Sequence, residues 1–130
     1  MRITKDNINQ FIDRTRIRLG SRKITKIDYV PEGITHLHLG NNQLTELPKL
    51  PESLTHLYCY NNNITSLPKL PDSLIRLNCN NNNITELPKL PEGLNISCQN
   101  NNLPYKVTLD NVKEHNTLLK RKEILSKICV

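Results

Sequence analysis

The sequence predicts an α/β repeat solenoid, with a short parallel β-sheet on its concave face, a polyproline-like convex side and a helical cap at each end. Three observations carry this. One pattern returns with a period of 20 residues: Ile34 to Leu44, Leu54 to Ile64 and Leu74 to Ile84 align position by position. Each copy closes on Thr-x-Leu-Pro-Lys-Leu-Pro, at Thr45, Thr65 and Thr85. Within each copy apolar and polar residues alternate over Leu37-His38-Leu39 or Leu57-Tyr58-Cys59, the period of a strand with one buried face. A unit this short cannot bury its own apolar side, so each copy must lean on the next.

The elements follow in order. Residues 1–13 are expected to cap the open end of the stack, with a helix from Thr4 to Asp13 that starts on Thr4 or Asp6 and turns Ile8, Phe11 and Ile12 inward. Residues 14–33 read as a degenerate repeat in the same register, with Ile17, Leu19, Ile24, Ile27, Val30 and Pro31 at the expected positions and Arg22 where the other copies have asparagine. That arginine is expected to reach solvent, and it puts the internal hydrogen bonding of this coil in question. Residues 34–93 are three regular repeats. Residues 94–104 are a truncated fourth copy with one residue deleted after Leu94, in which Ile96, Cys98, Asn101 and Leu103 fill the pattern.

Asn42, Asn62 and Asn82 stand where the chain leaves each strand. A carboxamide there can both donate and accept, so these three are expected to satisfy backbone groups of neighbouring turns as an internal ladder. The Leu-Pro-x-Leu-Pro segments exclude a helix on the opposite side, because proline removes a donor and forces the preceding residue into extended geometry. After Pro104 the period breaks. Residues 105–130 are expected to form a C-terminal helical cap, starting near Thr108 or Asp110 and running to about Lys127. Val112, Leu118, Leu119, Leu125 and Ile128 would lie on one side of it and Lys120, Arg121 and Lys122 opposite, with a break at Asn116-Thr117.

The run L-x-x-L-x-[L/C]-x-x-N-x-[L/I], repeated three times, resembles the leucine-rich repeat. With its Leu-Pro-x-Leu-Pro second half, it resembles in particular the short bacterial repeats of the YopM and IpaH effector subclass. The resemblance covers the repeat region, and the ends carry no sign of the IpaH ligase domain. It implies a protein-interaction module.

The remaining features bound the function. At 130 residues and 36% hydrophobic content the chain has room for one core. No apolar run approaches a membrane span, and the first residues lack a signal-peptide pattern, so a cytoplasmic protein is expected, with the cytoplasm of a host cell as the setting the effector resemblance suggests. Cys59, Cys79 and Cys98 share one inward position and are expected to be reduced core residues, with Cys129 a stray thiol. No catalytic set with an orienting acid and no cofactor motif occurs, so neither an enzyme nor a bound cofactor is expected.

The outward strand positions are where the repeats stop agreeing. Arg16, Arg18, His36, His38, His56, Tyr58, Tyr60, Arg76, Asn78 and Asn80 vary on a constant frame, which is what a recognition surface needs. With a net charge of +6 and no acid at those positions, the expected partner is an acidic protein. Two alternatives come with it: a metal held by His36, His38 and His56, or nucleic acid attracted by the basic ends. The open sheet without carboxylate support disfavours the first, and the lack of stacking platforms beyond Tyr58 and Tyr60 disfavours the second.

Overall fold

The computed structural model describes residues 1–104 and 114–121. Among the described residues eight short strands form two sheets: β1 (Arg2–Ile3), β2 (Ile12–Asp13), β3 (Arg16–Arg18), β4 (Lys26–Ile27), β5 (His36–His38), β6 (His56–Tyr58), β7 (Arg76–Asn78) and β8 (Asn95–Ser97). Six of them make one sheet in the order β2-β3-β5-β6-β7-β8. The pairs from β3 to β8 are parallel and the β2–β3 pair is antiparallel. The 20-residue period becomes register directly: His36 lies beside His56 and His56 beside Arg76, while Leu37, Leu57 and Leu77 line up behind them.

Alternation places Ile17, Leu37, Leu57, Leu77 and Ile96 inside. Leu19, Leu39, Cys59, Cys79 and Cys98 form a second buried column, and the leucines of the proline segments close the core from the other side. Those segments are neither helix nor strand, as their prolines require. Burial pushes the Cys59 thiol up to about 12. Cys79 is also pushed up, by burial and then by its neighbours Cys59 and Cys98. Such thiols carry no thiolate at neutral pH and act as small apolar side chains.

The asparagine ladder is present. Asn62 Nδ2 donates to the carbonyls of Leu39, Cys59 and Tyr60 at 3.0–3.1 Å, and its Oδ1 accepts the Leu44 N–H at 3.0 Å. Asn82 and Asn101 repeat the arrangement one and two coils on. The first coil needs no asparagine of its own. Asn42 Oδ1 accepts from the backbone N–H groups of Arg22 and Ile24, and Asn42 Nδ2 donates to the Leu19 carbonyl. Arg22 therefore loses nothing by facing solvent, where its guanidinium sits 5.2 Å from the centre of the Phe11 ring.

A second ladder runs along the outside, one residue earlier. Asn41, Asn61, Asn81 and Asn100 all adopt left-handed backbone geometry, with φ between 53° and 59°. Asn100 donates to Asn81, Asn81 to Asn61 and Asn61 to Asn41, each at 2.7 Å. Asparagine is among the few side-chain-bearing residues that tolerate this region, which is why the pair Asn-Asn recurs at the turn.

The deletion after Leu94 is absorbed at one point. In the regular coils two successive N–H groups share one carbonyl: Thr55 and His56 both donate to Thr35, and Ile75 and Arg76 both donate to Thr55. In the truncated copy Asn95 alone donates to Ile75, and Asn95 then pairs with Arg76 in the usual register. The missing residue is the one whose N–H was redundant.

The N-terminal cap is less helical than the spacing of Ile8, Phe11 and Ile12 predicts. Its helical part is one 3-10 turn, Ile8–Phe11, within the Thr4–Asp13 span. Two other bonding options outcompete an α-helix. Arg2–Ile3 pairs with Lys26–Ile27 on the far side of the first coil, and Ile12–Asp13 returns as a hairpin against β3. Ile3 and Ile8 are buried and cover the end of the core, and Arg2 binds Asp28 at 2.9 Å.

At the other end, residues 114–121 are helical without a break at Asn116-Thr117. Asn116 docks this helix: its Nδ2 donates to the Leu90 carbonyl and its Oδ1 accepts the Leu90 N–H, both at 2.8 Å. His115 is buried with Nε2 3.0 Å from the Pro88 carbonyl. Leu118, expected inside, is exposed, as are Lys120 and Arg121. Val112, Lys122, Leu125, Ile128 and Cys129 lie outside the described residues. Among the described residues no helix is long and apolar enough to cross a membrane.

Candidate functional site

The side chains that alternate with the core leucines stand on the open face of the six-stranded sheet in three columns. The first is Arg16, His36, His56, Arg76; the second is Arg18, His38, Tyr58, Asn78. The third, just beyond the strands, contains Gly40, Tyr60 and Asn80. Register brings all ten sequence-predicted positions to one face. The arginines are exposed and the rings and asparagines half-buried.

The rings are ordered by stacking. His36 and His56 lie face to face, with centres 4.2 Å apart and planes 9° from parallel. His38 stacks on Tyr58 at 4.6 Å, and His56 is tilted against Tyr58 at 6.3 Å. Thr35 and Thr55 anchor the first pair: each shares a hydrogen bond of 2.9 Å between its Oγ1 and the Nδ1 of the following histidine. The Tyr60 ring covers Gly40, where a Cβ would come within 2.4 Å of Tyr60 Cζ. Gly40 is thus the seat of an aromatic side chain from the next coil. Asn80 braces the C-terminal end, its Oδ1 accepting from the Ser97 hydroxyl and the Gln99 N–H.

This geometry weighs against the metal alternative and adds a charge that the repeats do not show. Stacked imidazoles direct their ring nitrogens along parallel planes, and in His36 and His56 one nitrogen is already engaged by threonine. The three histidines therefore do not converge on a point, and among the described residues no group of three histidine, cysteine or acidic side chains could hold a metal ion. The face also carries an acid after all. The antiparallel strand β2 sets Asp13 directly beside Arg16, a neighbour that the parallel repeat pattern could not reveal.

Charge on this face is dominated by arginine. Burial, then His56, Arg16, His38 and Arg18 in that order, holds His36 below the usual histidine range. Burial, then Arg18, Arg16 and His56, does the same for His38. In the folded chain these two bind protons less readily than in the unfolded chain, so folding stability is complete above pH ~6.5 and falls as the pH drops through the lowered values. Thermal unfolding followed from pH 7.5 to 5.5 is expected to show a falling midpoint. Replacing His36 and His38 by glutamine is expected to flatten that fall.

Sequence reasoning missed the outer asparagine ladder, the seat of Tyr60 on Gly40, and the docking pair His115 and Asn116. The first had a signal in the doubled asparagines. The others depend on contacts between coils.

Comparison with known proteins agrees with the architecture. A family model described as leucine-rich repeats in two copies matches residues 32–72 and again 52–92. The solved structure of YopM from Yersinia enterocolitica WA-314 is similar with a TM-score of 0.69 at 34% sequence identity, over 78% of this chain and 23% of that one. The chain thus spans about a quarter of the length of that structure. No curated protein gives a significant match.

Proposed function

From the premise that this chain is a leucine-rich-repeat protein with repeats of the YopM-like type, we propose that its sheet face binds a protein partner, an acidic one. The observation that carries this is the division of labour between positions. The inward residues are spent on the core and the ladders, whereas the outward side chains of Arg16, Arg18, His36, His38, His56, Tyr58, Tyr60, Arg76, Asn78 and Asn80 belong to neither. They are nonetheless prearranged by stacking and by threonine and backbone contacts. Side chains ordered before binding lose less entropy on binding, and tyrosine and arginine are common anchors at interfaces. The acidic character of the partner follows from the arginines that flank the rings, against the one carboxylate of Asp13.

The proposal extends to setting. Similarity to a Yersinia effector, together with a composition rich in asparagine, isoleucine and lysine, supports a pathogen or viral protein that works in the cytoplasm of a host cell. Its role there is interaction, with no catalytic step of its own.

Capture from host lysate followed by mass spectrometry tests this. His56→Ala with Tyr58→Ala is expected to remove the captured protein while the thermal midpoint moves by only a few degrees, because both side chains lie on the surface of the sheet. Undiminished capture by that variant would exclude this face.

A further inference from the structure

The N-terminal edge of the sheet face holds a feature that a general acidic-partner surface does not require. Asp13, Arg14, Arg16 and Arg18 line a recess of about 260 Å³ that is open to solvent. None of the three guanidinium groups makes a hydrogen bond or an ion pair within the described chain, and the Asp13 carboxylate beside them makes none either. Three cations therefore face one small space that holds a single carboxylate.

The backbone sets them there at a cost. The register Ile12 to Ile17 and Asp13 to Arg16 leaves Arg14 and Thr15 as a two-residue hairpin loop. Arg14 takes φ 58° in that loop, a place usually filled by glycine or asparagine. Left-handed geometry is disfavoured for arginine by the approach of its Cβ to the following carbonyl.

We propose that this recess binds a phosphate monoester dianion, carried by a phosphorylated segment of the protein partner. Three arginines against one aspartate leave a surplus of two positive charges, which a dianion neutralises and a carboxylate or a phosphodiester does not. Guanidinium forks also match the tetrahedral array of phosphate oxygens, each able to give two parallel hydrogen bonds. A phosphoserine carries about −1.5 to −2 charges at pH 7. The proposal rests on the sheet-face reading above, and adds to it the chemical group that seats at its basic end.

The test is an NMR titration of the full chain at pH 7.5 with phosphoserine, acetate and diethyl phosphate. A phosphoserine peptide and its unphosphorylated form follow. Phosphoserine is expected to bind about tenfold more tightly than acetate or diethyl phosphate, with shifts at Arg14, Arg16, Arg18 and His38. The phosphopeptide should bind more tightly still. Arg16→Ala with Arg18→Ala, both exposed, should weaken phosphoserine about tenfold with little change in thermal midpoint, and Asp13→Asn should strengthen it. Equal responses to the three anions, preference for the diester, or unchanged binding by the double arginine variant would overturn the proposal. So would a phosphopeptide no tighter than its unphosphorylated form. The His56→Ala, Tyr58→Ala variant should keep its phosphoserine response, so failure of the sheet-face reading is distinguishable from failure of the recess.

Discussion

Replacing Asn62 by alanine is expected to cost about 2–3 kcal/mol, chiefly because one buried backbone N–H is left without a partner, at about 1–3 kcal/mol for such a group. The Leu44 N–H loses its bond to the carboxamide, whereas the Leu39 and Cys59 carbonyls each lose one of two and keep Asn42 Nδ2 and Asn82 Nδ2 as donors. The Leu44 N–H lies in the buried turn and no other described side chain bonds it. Domains are typically stable by only ~5–15 kcal/mol, so the loss is a large share of the total. Urea unfolding would read it as a lower midpoint. The control is the residue next door: Asn61→Ala, on the exposed ladder, should cost only about 1 kcal/mol for placing alanine in left-handed geometry, and Asn61→Gly less. If the two alanine variants were equally unstable, the assignment of inner and outer ladders would be wrong.

Leu57→Ala in the middle strand is the second large effect, expected at about 3 kcal/mol. Leu57 is completely buried, between Leu37 on one side and Leu77 on the other. Removing its side chain opens a cavity shared by three coils. The coils cannot close it by moving together, because backbone hydrogen bonds such as Leu39 to Tyr58 and Cys59 to Asn78 hold their spacing. In a solenoid each coil contacts only its neighbours, so a weak coil at the centre also uncouples the two halves. Hydrogen exchange should show this as faster exchange in β5 and β6 than in β3. A uniform change across all strands would instead indicate a fully cooperative unit.

Both effects could be anticipated from the chain alone, because the repeat writes each inward position several times. Three copies of Leu57's position, and a cysteine column beneath Leu39, leave one arrangement in which the apolar residues share a core. The same logic located the sheet face, since whatever alternates with the core must point away from it. The N-terminal cap was less legible. Ile8, Phe11 and Ile12 have helical spacing, but hydrogen-bonding partners on two other strands claimed the backbone at either side of the 3-10 turn. Asp13 on the binding face was hidden for the same reason, as it arrives there through an antiparallel pair with no counterpart in the repeats.

What the sequence determined by itself is therefore the periodic part: number and register of the regular coils, the inward and outward side of every strand, the ladder asparagines and the place of the deletion. Each of these follows from a local rule applied every 20 residues. How side chains of different coils meet emerges from folding alone: His36 stacked on His56, Tyr60 seated on Gly40, Asn116 bonded to Leu90, and three arginines gathered around one recess with Asp13. These contacts join residues 20 or more positions apart, or depend on a hairpin that breaks the repeat. Their geometry is set by packing and backbone hydrogen bonds between coils, on which residue type and spacing alone place no constraint.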